Sequence, residues 1–434
     1  MSGTAAPRQA YGLAFHPDFE RLVEELHSRP AAAVSAPVAI SHTAVLTGQE
    51  EAARVLDQVA ALCRRYGASP PYREHFHAVD LGRFELRFER HLEFVTLTFL
   101  RPGGGLRPFR DTAIALVPED WLAALPGTVV AASHLVLERG EAPDPTRVDS
   151  LFEGHRVRAS RVMGNAAVVC TDWRPHGDGF GRFHITDLGG LDPARAGRLV
   201  QRLVEIDTYR MMALLGLPLA RRVAPRLTGA ESRLAALTGR IGEARELADE
   251  RALLDELFEL AADVERQVAE TAFRFGGTRA YHQLVRDRLR ELREERFEPF
   301  QPLGQFLARR FEPAMRTCNS AAERLEGLSR RISRAADLVR TRVDLELQEQ
   351  NRALLESMER RAALQLRLQQ TVEGLSVVVL SYYLVGLAAY VIKGVAPWFG
   401  FAAKAQAPLV AALVPLAVGA VWLGLRTLRR RIGA

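Results

Sequence analysis

The chain has 434 residues, 48% of them apolar and 25% charged, which excludes a disordered or collagen-like polymer and leaves room for two or three domains. Three widely spaced cysteines, Cys63, Cys170 and Cys318, exclude a disulfide framework and a four-thiolate zinc site. The net charge of +6 sits entirely in residues 374–434, which hold six basic residues and no acid, while the first 373 balance 52 bases with 52 acids. That distribution argues against a nucleic-acid face.

The first ~190 residues alternate helical and extended signals. A helix is predicted over His16–His27, an extended run over Val38–Leu46, and a helix over Gln49–Tyr66 with Ala52, Val55, Leu56, Val59 and Leu62 on one face. Three strands follow, His75–Leu81, Phe84–Arg90 and Leu92–Phe99, and Pro102-Gly103-Gly104-Gly105 ends the last of them. A short helix near Glu119–Ala124 leads to strands at Val129–Leu137, Val157–Val162, Ala166–Trp173 and Gly181–Ile185. Strands that succeed one another without intervening helices predict a mixed α/β (α+β) domain with largely antiparallel or mixed pairing.

After Asp187 the strand signals stop. Helical patterning covers Pro193–Leu215 and most of the chain from Leu227 to Phe273, with Gly276-Gly277 predicted to break it. Helices follow at Arg279–Glu295 and from Leu303, and from Glu312 to Glu373 no proline interrupts a helix after its first turn. Leu325, Leu328, Ile332, Ala335 and Val339 step by three, four, three and four, a heptad seam that predicts a stalk able to pair with a second copy. Val343 and Leu347 then step by four and four, a drift toward an eleven-residue repeat.

Gly374–Ile392 and Ala405–Leu425 are 19 and 21 residues without a charge. As helices they would extend about 28 and 31 Å, the thickness of a bilayer core. Arg352, Arg360, Arg361 and Arg367 precede the first stretch, and Arg426, Arg429, Arg430 and Arg431 follow the second, whereas the connection carries only Lys393 and Lys404. By the excess of positive charge both ends lie in the cytoplasm, with Trp398, Phe399 and Phe401 as interfacial anchors outside. The N-terminus lacks the apolar core of a secretion signal, which suits a cytoplasmic head at a bacterial inner membrane. Ser376, Ser381, Tyr382 and Tyr383 are hydroxyls at membrane depth that need partners, either in helix packing or along a path for a solute.

The layout expected is therefore a mixed α/β cytoplasmic head over residues 1–190, a helical domain over 191–312, and a coiled-coil-like stalk helix over 313–373. Two transmembrane helices within 374–425 and a basic cytoplasmic tail over 426–434 complete it. Candidate chemistry is sparse. His75 and His77 fall on one strand face with His91 two strands on, a weak metal pattern without a supporting acid or thiol. The run from Thr171 to Phe183 gathers Asp172, His176 and Asp178, which suit a cation or acid–base work, around Pro175, Gly177 and Gly179, which suit a turn. No phosphate loop, dinucleotide fingerprint, nucleophile elbow or zinc-protease helix is present, so the sequence points away from an enzyme and names no cofactor. Expected partners are the lipid bilayer and a second copy through the stalk, and no nucleic acid. A membrane-bound hydrolase would require Asp172, His176 and Asp178 to converge in a pocket.

Two resemblances add to this. Glu25-Leu26-His27-Ser28-Arg29-Pro30, Thr171-Asp172-Trp173-Arg174 with Asp178-Gly179-Phe180, and Gln370-Thr371-Val372-Glu373-Gly374-Leu375-Ser376 ahead of Tyr382-Tyr383 resemble a bacterial family of uncharacterised, predicted membrane-anchored proteins over the whole chain. The resemblance implies no activity. The element order, with a head, a long helix entering the first of two C-terminal spans and a basic tail, resembles CorA-type magnesium channels. Those carry Gly-Met-Asn after the first span, where this chain reads Lys393-Gly394-Val395-Ala396-Pro397-Trp398, so the resemblance implies an oligomer more than cation selectivity. A scaffold or sensor is the reading expected, with a channel lined by Ser376, Ser381 and Tyr383 as its alternative.

Overall fold

The computed structural model describes residues 9–10, 13–19, 22–23, 33–71, 75–105, 107–244, 246–395 and 406–432. Half of the helix predicted over His16–His27, and the Trp398–Lys404 connection, lie outside the described residues. The chain divides into two compact units, one of residues 1–243 with 255–336 and one of residues 244–254 with 337–434.

The first unit begins with a two-residue ladder, β1 (Gln9–Ala10) and β2 (Leu13–Ala14). Its body is a nine-stranded sheet built, in chain order, from β3 (Val38–Leu46), β4 (Phe76–Asp80), β5 (Glu85–Arg90), β6 (Phe94–Pro102), β7 (Thr128–Arg139), β8 (Arg158–Val162), β9 (Ala167–Thr171), β10 (Gly181–Asp187) and β11 (Glu295–Arg296). The spatial order is β11-β8-β9-β10-β7-β3-β6-β5-β4, antiparallel except for the parallel pair β10 and β7. The central strands β3, β6 and β9 are buried almost throughout. A sheet covered on both faces reads as continuous apolar and small residues without clean alternation, as these segments do. β11 pairs with β8 from more than a hundred residues downstream and covers part of that edge.

The register separates the two faces. On one, Val45, Leu86, Phe88, Val95, Leu97 and Phe99 pack under α1 (Gln49–Arg65) and Trp121 of α2 (Glu119–Ala123). The predicted α1 stripe is buried at Ala52, Val55, Val59 and Leu62, with glutamates in its first turn and arginines in its last, as the helix dipole favours. The same face continues over Val136, Ala159, Val168 and Cys170, where α3 (Pro145–Leu151) and Phe152 cover it. The opposite face lies under α4 (Pro193–Leu214), where His42 on β3 reaches Thr208.

Further helices follow: α5 (Gly216–Glu243), α6 (Leu247–Glu291) and α7 (Leu303–Arg310). The Gly276-Gly277 pair does not break α6. Gly277, but not Gly276, lies at a close approach: a Cβ on Gly277 would sit 3.1 Å from Glu93 Oε1, and Glu93 is held there by Arg274 and by the Tyr281 hydroxyl at 3.2 Å. The helix α8 runs without interruption over Glu312–Val395. Its seam residues Leu325, Leu328 and Ile332 are buried within the chain, alongside buried Leu227, Leu234 and Leu237 of α5 and Leu257, Leu260 and Val264 of α6. Ion pairs join these helices laterally, Arg324 to Glu231 at 2.6 Å and Arg233 to Glu259 at 3.0 Å. The heptad seam over 325–332 is therefore buried within the chain itself.

In the second unit, Arg342 of α8 pairs with Glu250 of α6 at 3.2 Å. Two helices here are long and apolar enough to cross a membrane: the end of α8, whose most apolar eighteen-residue window has a mean hydropathy of 2.1 and is 6% buried, and Val410–Thr427 of α9 (Gln406–Ile432), at 1.7 and 11%. Buried positions among their described side chains are small or medium ones, Ser381, Ala417 and Val421.

Candidate functional site

The polar residues of interest gather on the α3-covered face of the sheet, and the local sequence explains how. Asp144 caps α3 by accepting from the Thr146 N–H at 2.7 Å, with Pro145 opening the helix. The helix ends at Leu151, and a left-handed turn through Glu153 and Gly154 reverses the chain, presenting Glu153 and His155. Opposite them, β9 ends at Thr171, and Trp173 in a left-handed conformation starts the turn into β10. That turn is closed by the His176 N–H donating to the Phe180 carbonyl at 2.9 Å.

Asp172 and His176 come together, and His155 joins them. Asp172 Oδ2 lies 2.7 Å from His155 Nδ1 and 3.0 Å from His176 Nε2, while Oδ1 accepts the Arg174 N–H at 3.2 Å. The side chains of Asp172 and His176 are wholly buried and that of His155 is one-third exposed. His176 Nδ1 faces Glu153 Oε2 at 3.1 Å, and Arg182 binds the other Glu153 oxygen at 2.8 Å. Those two hydrogen bonds, from His176 and then Arg182, hold the Glu153 carboxyl below its ordinary range. One atom each of His155, Asp172 and His176 falls within 4.8 Å of the others, the one such group of potential metal ligands among the described residues.

Asp178, the third member expected, goes elsewhere on the same face. Its carboxylate is 3.3 Å from His134 Nε2 and remains partly exposed. The His134 ring stacks flat on Phe180 at 4.2 Å, and its Nδ1 is 2.9 Å from Ser41 Oγ, which itself accepts the Ile114 N–H at 3.1 Å. Burial pushes His134 down to about 4 despite Asp178, so the ring is neutral at pH 7. Ser41 has no exposed surface, and burial raises the Cys170 thiol to about 12, so neither supplies a nucleophile. The convergence required of a hydrolase built on Asp172, His176 and Asp178 is met by two of the three.

His75 and His77 do not form a pair: His75 precedes β4 and is exposed, while His77 is buried with Nε2 3.6 Å from Cys63 Sγ. His91 lies in the connection between β5 and β6 and stacks on Phe94. Among the hydroxyls of the first apolar stretch, Ser376 donates to its own helix at the Val372 carbonyl (2.8 Å), Ser381 is buried within the chain, and Tyr382 and Tyr383 are exposed.

Sequence reasoning missed His155 and Glu153. Seventeen positions and the β8–β9 hairpin separate His155 from Asp172, and the one local signal was a Glu-Gly-His run. Behind the sheet, Thr171, Trp173 and Arg174 help line a separate cleft of about 260 Å³, closed by α4 residues Asp207 and Arg210. The Arg210 guanidinium lies 4.9 Å over the Trp173 ring and 2.5 Å from Asp207.

Fold and site together define a mixed α/β head with a buried histidine–aspartate cluster, on a chain that also carries two helices of membrane-spanning length. The chain belongs to the family described as Protein of unknown function (DUF3422), which matches residues 14–432. No curated protein and no solved structure matches it, so the likeness to CorA-type channels rests on element order alone.

Proposed function

We infer that the protein is a membrane-anchored scaffold or sensor of a bacterial inner membrane, held by the end of α8 and by α9. The observation that carries this is the exposure of most of both apolar stretches: Leu387 and Leu416, at 67% and 69%, stand for two surfaces that the described residues leave uncovered. Arginines cluster before the first stretch and after the second, which supports a cytoplasmic head and tail with the connection outside. The part of α8 between the buried seam and the membrane supports self-association. Leu354, Met358, Leu368 and Val372 are exposed and fall on one heptad stripe, interrupted by Arg361 and Gln365.

The three native cysteines are buried, so cysteine mapping has a low background. In spheroplasts expressing the full chain, Gly400→Cys is expected to react with a membrane-impermeant maleimide, and Ala434→Cys to react only after lysis. Recovery of the protein in the soluble fraction without detergent, or labelling of Ala434→Cys in intact spheroplasts, would refute the anchoring or the orientation respectively.

A further inference from the structure

The cluster on the sheet face contains an electrostatic conflict. A carboxylate only accepts hydrogen bonds, so Glu153 at 3.1 Å fixes His176 Nδ1 as the protonated nitrogen. With the proton on Nδ1, Nε2 is the ring nitrogen left to offer a lone pair to a cation. It is buried, makes no hydrogen bond, and lies 3.0 Å from Asp172 Oδ2, which stands too far off the ring's N–H direction to accept a proton well. Two acceptor atoms facing each other away from water repel unless a cation joins them. His155 Nδ1, 2.7 Å from the same oxygen, donates a hydrogen bond to it in the metal-free protein and becomes a third ligand atom, on the solvent side, once its proton is released to the solvent-facing Nε2 or to water.

We propose that His155 Nδ1, His176 Nε2 and Asp172 Oδ2 bind one divalent first-row transition-metal ion, with Zn²⁺ as its probe. Two imidazoles and a carboxylate are the donor set of such ions, whereas Ca²⁺ and Mg²⁺ demand more oxygen ligands than this face offers. The supporting contacts fit the role. Glu153 orients His176 through its far nitrogen, Arg182 orients Glu153 and is itself held by the Leu151 carbonyl at 3.0 Å, and the Arg174 N–H fixes the second Asp172 oxygen. Ligand atoms around a tetrahedral Zn²⁺ stand about 3.3 Å apart, so His155 and its loop must move outward by about half an ångström. The half-open position of His155 leaves the fourth ligand to water or a small anion. The site stands independently of the membrane anchor and gives a sensor something to sense.

The test uses the full chain in detergent, stripped with a chelator and titrated with Zn²⁺ by calorimetry and with Co²⁺ by visible absorption. One equivalent of Zn²⁺ and the intense visible bands of four-coordinate Co²⁺ are expected. His155→Gln alters a partly exposed residue and should keep the native near-ultraviolet circular dichroism while weakening binding by roughly 100-fold; Glu153→Gln, which touches no metal, should weaken it by roughly 10–100-fold. The absence of a saturable equivalent, the pale spectrum of six-coordinate Co²⁺, or undiminished affinity in a folded His155→Gln protein would each overturn the assignment in favour of a cluster held by a shared proton.

Discussion

His42 provides the sharpest quantitative handle on the head. It sits in the middle of β3, with Nδ1 2.8 Å from Thr98 Oγ1 and Nε2 3.1 Å from Thr208 Oγ1 of α4. Burial, and then the nearby His91, push it down to about 3, although Glu89 and Glu205 line the small cavity beside it. An unfolded histidine titrates near 6.5, so between pH 6.5 and 3 the unfolded chain binds a proton that the folded chain refuses. Stability contributed by the neutral ring is whole above pH 6.5 and drains away as the pH falls through that window. From pH 7 to pH 5 the proton linkage amounts to about 2 kcal/mol. His42→Asn keeps the contact to Thr98 and removes the titration. In urea unfolding followed by the fluorescence of buried Trp121, the wild-type chain should lose about 2 kcal/mol more than His42→Asn between those two pH values. Equal losses in the two proteins would show that His42 is not held neutral by its burial, and the argument would fail.

Other expectations follow from single contacts. Gly127 precedes β7 with φ +98°, and an added Cβ would fall 2.5 Å from the Leu46 carbonyl oxygen, so Gly127→Ala should cost about 3 kcal/mol in denaturant unfolding. Buried Asp187 Oδ1 accepts the N–H groups of Gly189, Gly190 and Leu191 at 2.9–3.1 Å; Asp187→Ala orphans all three and should cost about 3 kcal/mol or more, with Asp187→Asn recovering much of it. Leu384→Arg, near the centre of the first apolar stretch, adds roughly 2.5–3.5 kcal/mol to insertion and should lower the share of protein retained in carbonate-washed membranes, unlike Leu384→Ala. Replacing Leu354, Met358, Leu368 and Val372 together by glutamine should lower the native mass in detergent if that stripe joins copies, and an unchanged mass would dismiss it.

The sheet strands and α1 were legible because apolar spacing and turn residues act locally: Pro102-Gly103 ends β6 and the Ala52–Leu62 stripe makes α1, whatever surrounds them. The two apolar stretches were legible for the same reason, since nineteen and twenty-one residues without a charge are a property of the chain itself. What Gly276-Gly277 does was not legible, because a glycine pair looks the same whether it breaks a helix or admits Glu93 to its flank. Nor was the use of the heptad seam, since periodicity reveals that a stripe must be buried but not by which partner, and here it is buried within the chain itself. The histidine cluster lay furthest from view. Metal-type side chains must meet within a few ångströms, and only the pairing of β8, β9 and β10 brings the reversal after α3 beside the turn after β9. Local composition thus set the elements and the apolar ends, while long-range strand pairing, which no neighbouring residue encodes, decided which charged and aromatic groups meet.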